Sequence, residues 1–192
     1  MPRVFLIRHG QSTFNALYGE NGVDPMHVDA RLSALGHDQV RDGAARARSL
    51  GVDLVVSSPL TRAIQTGIGM FGAARHLLIE AGHTEHVVAS CDVGRPTSVL
   101  KTEYDHLDFD HLDETWWPQG PLDELGIPIE SVEDCLRRVA SFKAWLAARP
   151  EDAIAVVGHS AFFWHFTGGR RFANCEIVEW SLGQARELPE SN

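Results

Sequence analysis

Three short runs, Val4–Ile7 (VFLI), Asp53–Ser57 (DLVVS) and Ala153–Val157 (AIAVV), are apolar at nearly every position. A strand with one wet face alternates apolar and polar residues. A run that does not alternate must be covered on both faces, as the strands of a parallel sheet between helix layers are. Helical periodicity fills the gaps between these runs. One helix starts near Ser33, carries Val40, Ala44 and Ala47 on one face and ends by Gly51. Ser58-Pro59 reads as the cap and first-turn proline of a second, with Ala63, Ile64, Ile68 and Phe71 inside. Ser131 opens a third through Val132, Leu136, Val139, Phe142 and Leu146, which Pro150 prevents from continuing. A short fourth runs from Ser160 to Gly168-Gly169, a further strand is expected within residues 76–79, and Ile177–Leu182 reads as an edge strand. Strands alternating with helices in this way specify an α/β fold with a mainly parallel sheet flanked by helices.

The 192 residues, 44% hydrophobic and 22% charged, suffice for one domain over 1–192 with a substantial core. Residues 82–128 are polar, irregular and rich in Asp, His and Pro, and a stretch of that length in a compact domain is expected to be a lid or specificity insert. The net charge of −9 argues against nucleic acid or an anionic membrane as partner, so any phosphate site must be a local positive pocket. Cys91, Cys135 and Cys175 are sparse, odd in number and without C-x-x-C spacing, which fits a reducing compartment. With no signal-like leader and no bilayer-length apolar run, a cytoplasmic protein is expected.

The strand exits carry the chemistry. The first ends in Arg8-His9, the second leads through Ser57-Ser58-Pro59 to Arg62, and the third ends in Gly158-His159-Ser160 before a helix. Ligands of open α/β sheets bind outside the carboxyl ends of the strands, where helix N-termini also present free N–H groups. Singly, each of these residues reads as an ordinary loop or core position. Together they place two arginines and two histidines at one sheet edge, which is a site for an anion.

These residues also carry a resemblance. Arg8-His9-Gly10-Gln11-Ser12 with Asn15 resembles the R-H-G-[EQ]-S-x-x-N signature of the histidine phosphatase superfamily, the phosphoglycerate-mutase-like fold. Ser57-Ser-Pro-Leu-Thr-Arg62-Ala63-Ile-Gln65-Thr66 resembles its second signature, Ala155-Val-Val-Gly-His159 its third, and Leu32, Gly36 and Gln39 its L-[ST]-x-x-G-x-x-Q helix start. The likeness extends from Val4 to about Leu182 and implies a three-layer sandwich.

It further implies that His9 is a nucleophile transiently phosphorylated on a ring nitrogen, a role suited to an imidazole that is neutral near pH 7. Arg8 and Arg62 would grip the phosphoryl oxygens with forked, permanently charged donors, and a protonated His159 would add charge. Asn15, the N–H of Ser160 and the turn at Gly10, whose carbonyl would fix the His9 ring, complete the expected substrate-binding set. A leaving alkoxide needs an acid, and Glu80, Glu85 and Asp92 are candidates. The tract Glu85-His86-Val-Val-Ala-Ser-Cys91-Asp92-Val-Gly94 resembles an L-R-E-H-x-x-x-x-C-D-x-G pattern and selects Glu85, although His83-Thr84 stand where Leu-Arg is usual.

The implied activity is hydrolysis of a small phosphate monoester, with no metal or cofactor required because arginines and histidines supply the positive charge. A mutase is the alternative, disfavoured by a short chain without an E-R-H-Y-G tract, and an inactive phosphate-binding relative is disfavoured because His9, Arg8, Arg62 and His159 are all present. The tract from Tyr104 to Glu114 holds two D-H-L-D units, but His106 and His111 cannot share a helix face at that spacing, so it reads as an acidic loop anchored by Leu107, Phe109 and Leu112. Trp116-Trp117 are expected beneath or beside the mouth of the site, as core packing in preference to a stacking surface for substrate. Neither the substrate nor the oligomeric state is legible.

Overall fold

The structure, a computed structural model, describes residues 1–72 and 77–183. In chain order the elements are β1 (Arg3–Arg8), α1 (Thr13–Asn21), α2 (Ala34–Ser49), β2 (Leu54–Ser57), α3 (Thr61–Phe71), β3 (Leu77–Ile79), α4 (Thr97–Glu103), α5 (Val132–Ala147), β4 (Ala153–Gly158), α6 (Ser160–Thr167) and β5 (Ile177–Trp180). The strands form one sheet in the order β3-β2-β4-β1-β5, parallel except for β5, which runs antiparallel along the β1 edge. Of the strand expected within 76–79, position 76 lies outside the described residues.

Period-two alternation in buried strands sends side chains to opposite layers. Phe5, Ile7, Val55, Ala155 and Val157 pack with α2 and α3 through Val40, Ala47, Ala63, Ile64 and Met70. Val4, Leu6, Val56, Ile154 and Val156 pack on α5 and α6 through Val139, Phe142, Leu146, Phe162 and Phe166. Helix, sheet and helix make the three layers. No helix among the described residues is long and apolar enough to cross a membrane.

Register aligns the strand exits. Arg8 sits opposite Gly158 and Ser57 opposite Val157, so His9, Ser58 and His159 leave the sheet side by side.

Three expectations need correction. Ser58-Pro59 do not cap α3: the helix begins at Thr61, and its Thr61 N–H donates to the Asp29 carboxylate at 2.7 Å from across the fold. Residues 82–128 are less irregular than their composition implies. They hold α4 and two 3₁₀ turns (Ala81–His83 and Ser90–Asp92), and Leu100, Tyr104, Leu107, Phe109 and Trp116 are anchored in the core of the α2/α3 layer. Trp116 and Trp117 do not flank the phosphate site. Their indoles close on Gly94, where a Cβ would meet Trp116 at 2.4 Å, and they wall a separate cavity of about 420 Å³ with Arg137 and Arg138. In the Asp-His tract, His106 pairs with Asp105 whereas His111 bonds the Ile79 carbonyl, so the two imidazoles serve different neighbours.

The loop after β1 is seated by a close backbone contact. A Cβ on Gly36, in the first turn of α2, would lie 2.0 Å from the Gln11 carbonyl oxygen, and one on Gly10 would lie 2.8 Å from the Gly36 oxygen. Backbone cannot yield as a flexible side chain can. Gly36→Ala should therefore cost about 2–3 kcal/mol, read as a fall in melting temperature of about 5–10 °C for a domain of this size. Activity should fall with it, because the displaced loop carries His9. An unchanged melting temperature would show that α2 can slide away from the loop.

Candidate active site

His9 is 3% exposed, and its N–H extends the β1–β4 ladder to the Gly158 carbonyl at 3.0 Å. Its Nδ1 lies 2.7 Å from the Gly10 carbonyl oxygen. A carbonyl only accepts, so Nδ1 carries the hydrogen and Nε2 keeps the lone pair. Arg62 Nε donates to that Nε2 at 3.2 Å, which agrees with the same tautomer. Gly10 in turn gives its N–H to Thr66 Oγ1 at 3.1 Å. Gly10 thus fixes the ring as expected but is off the cavity wall, and both its backbone groups are engaged.

Arg62 is 2% exposed. Its Nη2 pairs with Asp92 Oδ1 at 3.0 Å and its Nη1 donates to the Cys91 carbonyl. Asp92 Oδ2 accepts the N–H groups of Val88 and Ala89 at 3.3 and 3.2 Å, so the insert supplies a pre-oriented counterion. A buried guanidinium needs such partners. Removing one from a pair of this kind costs about 3–5 kcal/mol.

Arg8 is held differently: Nη1 donates to the Phe172 carbonyl at 2.7 Å, and among the described residues it forms no ion pair. Its Nε is buried without a partner, as are both ring nitrogens of His159, whose ring lies 5.2 Å from that of His9. An unsatisfied buried donor costs about 1–3 kcal/mol; Arg8 Nε and the one N–H of a neutral His159 ring are two such donors, and an anion beside His9 would meet both.

Burial drives both His9 and His159 well below the ordinary imidazole pKa, and the Arg62 and Arg8 charges push each the same way. For His9 this keeps Nε2 an acceptor, as the hydrogen bond from Arg62 Nε requires. For His159 it works against the expected positive charge and favours the neutral ring, which offers one N–H donor.

Both helix starts at this edge receive carboxylates from the chain itself, so fewer free N–H groups face the site than expected, although neither carboxylate takes the N–H of Ser160. Asp29 closes α3. At α6 the Glu85 carboxylate accepts the N–H groups of Ala161 at 3.1 Å and Phe162 at 2.7 Å, in addition to that of His86 at 3.0 Å. A carboxylate is well matched to the positive end of a helix. Ser160 still lines the cavity. Asn15 lines it too, and spends its carbonyl oxygen on the Ser12 N–H at 3.2 Å, leaving its amide NH₂ for a ligand.

The cavity above His9 has a volume of about 670 Å³ and a floor of Arg8, His9, Arg62, Glu85, Asp92 and Ser160. Farther out it is lined by Phe14, Tyr18, Leu125, Ile127 and Trp164. Of the three carboxylates considered from sequence, Glu85 and Asp92 reach this floor. Glu80 instead accepts the Gly82 N–H of its own turn at 2.8 Å. Burial beside Glu85 raises the Asp92 pKa to about 6 despite the pull of Arg62.

One role and one residue were not anticipated. Asp92 stands here as the Arg62 partner, although its place in the Cys91-Asp92-x-Gly94 tract was a signal for it. Arg138, from α5, had no signal. It forms a bidentate pair with Glu130 at 2.7 and 2.7 Å and donates to the Thr84 and Glu85 carbonyls at 3.1 and 3.2 Å, bracing the loop that carries Glu85. His83, where the resemblance has leucine, is itself core: it stacks on Phe142 at 4.6 Å and bonds the Val157 carbonyl.

Three buried imidazoles with lowered pKa values, His83 (to about 3), His9 and His159, set a pH dependence of stability. Unfolded, each binds a proton near pH 6.5; folded, each resists it. Below that pH the unfolded chain therefore holds more protons, and stability falls on acidification. Asp92 opposes this between about pH 6 and 4, one group against three. The melting temperature should thus drop between about pH 7.5 and 5.5. A flat or rising profile would mean that the rings are charged in the folded protein.

The profile of the histidine phosphatase superfamily (branch 1) matches residues 4–170. Two Arabidopsis thaliana proteins are similar: phosphoglycerate mutase-like protein 1, at 27% identity over 91% of this chain and 78% of its own, and a phosphoglycerate mutase-like protein, at 28% over 83% and 71%. Among solved structures, a mycobacterial glucosyl-3-phosphoglycerate phosphatase superposes with a TM-score of 0.62 at 19% identity, covering 94% of this chain and 93% of the other. The α-ribazole phosphatase of Shigella flexneri gives 0.61 at 19% identity over 91% and 88%. The phosphoserine phosphatase of Entamoeba histolytica gives 0.58 at 20% identity over 92% and 89%. At such identities the solved structures speak for the fold, phosphoglycerate-mutase-like, and the match over 4–170 for the family: this chain belongs to the histidine phosphatase superfamily.

Proposed function

We propose that the protein is a phosphatase that hydrolyses a small phosphate monoester through a phosphohistidine at His9. The observation that carries this reading is the His9 tautomer: Nδ1–H is committed to Gly10, Nε2 keeps its lone pair, held by Arg62 Nε at 3.2 Å until a phosphoryl oxygen takes that donor, and unpartnered donors stand beside it. Nε2 attacks phosphorus in line as the bond to the leaving oxygen breaks and its electron pair departs with that oxygen. Arg8 and Arg62 hold the equatorial oxygens, with Asn15 and the neutral His159 N–H as further donors. Glu85 gives its proton to the leaving alkoxide, releasing the alcohol. The resulting carboxylate then takes a proton from water, whose oxygen displaces His9 from phosphorus, and inorganic phosphate leaves with Nε2 and Glu85 restored. Asp92, with both oxygens engaged, serves to position Arg62.

Hydrolysis is favoured over mutase chemistry by access to water. Tyr18, Leu125 and Trp164 around the cavity are 47%, 56% and 39% exposed. The insert over 82–128 contributes Glu85, Val88, Asp92 and Leu125 to the walls and would set the substrate. The phosphatase neighbours support hydrolysis, and the Arabidopsis mutase-like relatives keep transfer between hydroxyls as the second reading. Following 3-phosphoglycerate for release of phosphate against formation of its isomer separates the two.

Quenching the wild-type reaction should trap acid-labile, base-stable phosphate on His9, and His9→Ala should lose both the phosphate and at least about 10³-fold in turnover. Label on a serine or cysteine would overturn the mechanism.

A general acid matters in proportion to how badly the leaving group needs a proton. Glu85→Gln should therefore depress turnover of alkyl phosphates by about 10²-fold or more while affecting nitrophenyl phosphate far less. Should Asp92→Asn show that leaving-group dependence and Glu85→Gln not, Asp92 is the acid.

A further inference from the structure

Behind the Glu85 loop, three side chains from three elements meet. His86 from the loop, Cys135 from α5 and His165 from α6 each present a metal-ligating atom within 4.8 Å of the other two. None takes part in the phosphoryl chemistry proposed above. Imidazole nitrogen and thiolate sulfur suit zinc-class divalent ions, which they bind tetrahedrally. Tetrahedral bonds of those lengths set neighbouring ligand atoms about 3.3–3.6 Å apart, so closing the site takes a movement of about 1 Å. The half-buried His165 side chain can supply it.

Each of the three side chains has a ligating atom without a hydrogen bond among the described residues, and the His86 ring is already oriented. His86 Nε2 lies 3.0 Å from the Glu130 carbonyl oxygen, so Nε2 carries the hydrogen and Nδ1 keeps the lone pair. Metal-binding histidines are held by such a second partner. Here the partner is itself rigid, since Arg138 grips the Glu130 carboxylate. The Cys135 thiol, 0% exposed, and the His165 ring make no hydrogen bond among the described residues, and the two imidazoles meet edge to face at 5.4 Å. α5 and α6 pack against each other in one core layer, a firm base for two of the three ligands.

We propose that His86, Cys135 and His165 bind a zinc-class divalent cation, and that its occupancy slows turnover by tying down the Glu85–His86 loop. On binding, the Cys135 S–H bond breaks, the proton passes to solvent and a sulfur–metal bond forms, with water in the fourth position. His86 donates its backbone N–H to Glu85 and lines the catalytic cavity, so an ion that holds its ring restrains the acid. The binding site stands independently of the catalytic reading; only the inhibition rests on Glu85 acting there.

Cobalt(II) titrated into the full chain tests the site. A thiolate-to-cobalt charge-transfer band should grow to one equivalent and be displaced by zinc. Cys135→Ala should abolish it, and His165→Ala should weaken binding by about tenfold or more. In parallel, zinc should slow alkyl phosphate hydrolysis several-fold in the wild type, reversibly with chelator. His165→Ala, equal to wild type without metal, should be about tenfold less sensitive. No charge-transfer band, or one unchanged in Cys135→Ala, overturns the site. A normal band with equal zinc sensitivity in wild type and His165→Ala overturns the inhibition and assigns it to an ion elsewhere, such as one on His9 and His159. A normal band in a chain that hydrolyses no phosphate supports the site and counts against the phosphatase reading instead.

Discussion

The constraint on which the rest of this structure depends is the burial of the Arg62 guanidinium against a neutral imidazole. A cation removed from water must have its donors met, and here the Cys91 carbonyl, the Asp92 carboxylate and His9 Nε2 meet them. The same contact fixes the histidine, since the hydrogen bond from Arg62 Nε requires a lone pair on Nε2. It also dictates what the insert must do: its 3₁₀ turn Ser90–Asp92 carries two of the three Arg62 partners. The insert is therefore part of the electrostatic foundation of the site.

The chain solves its helix ends in a way that shapes the chemistry. The amino ends of α3 and α6 approach the sheet edge where the anion belongs, yet Asp29 and Glu85 occupy them. The cradle is consequently built from side chains, with Arg8 as its cation free of any carboxylate among the described residues. Such a cradle gains geometric selectivity from forked donors. It also leaves Glu85 tethered to a helix end while facing the cavity, with Arg138 fixing the backbone beneath it.

Holding two histidines neutral beside two arginines follows from the same burial. Low polarity penalises any further positive charge, so protonation of His9 or His159 is opposed first by desolvation and then by the guanidinium groups. Any anion bound beside these rings would shift that balance toward protonation by adding negative charge.

What the sequence by itself determined was local and periodic. Continuous apolar runs fixed β1, β2 and β4; helical spacing fixed α2, α3, α5 and α6; and the polar residues at the three strand exits located Arg8, His9, Arg62 and His159, because parallel pairing in register must bring those exits together. Tertiary structure alone decided whatever joins residues distant in the chain. Asp29 reaches 32 positions to cap α3, against the local Ser58-Pro59 reading. Arg138 braces a loop 53 positions away, and His86, Cys135 and His165 converge from three elements with no common spacing. The charge on His159 was decided there too, since sequence records that an imidazole is present but not that burial and two guanidinium groups surround it. Periodicity reports how a segment presents its faces; which distant groups meet there is set by packing the layers together.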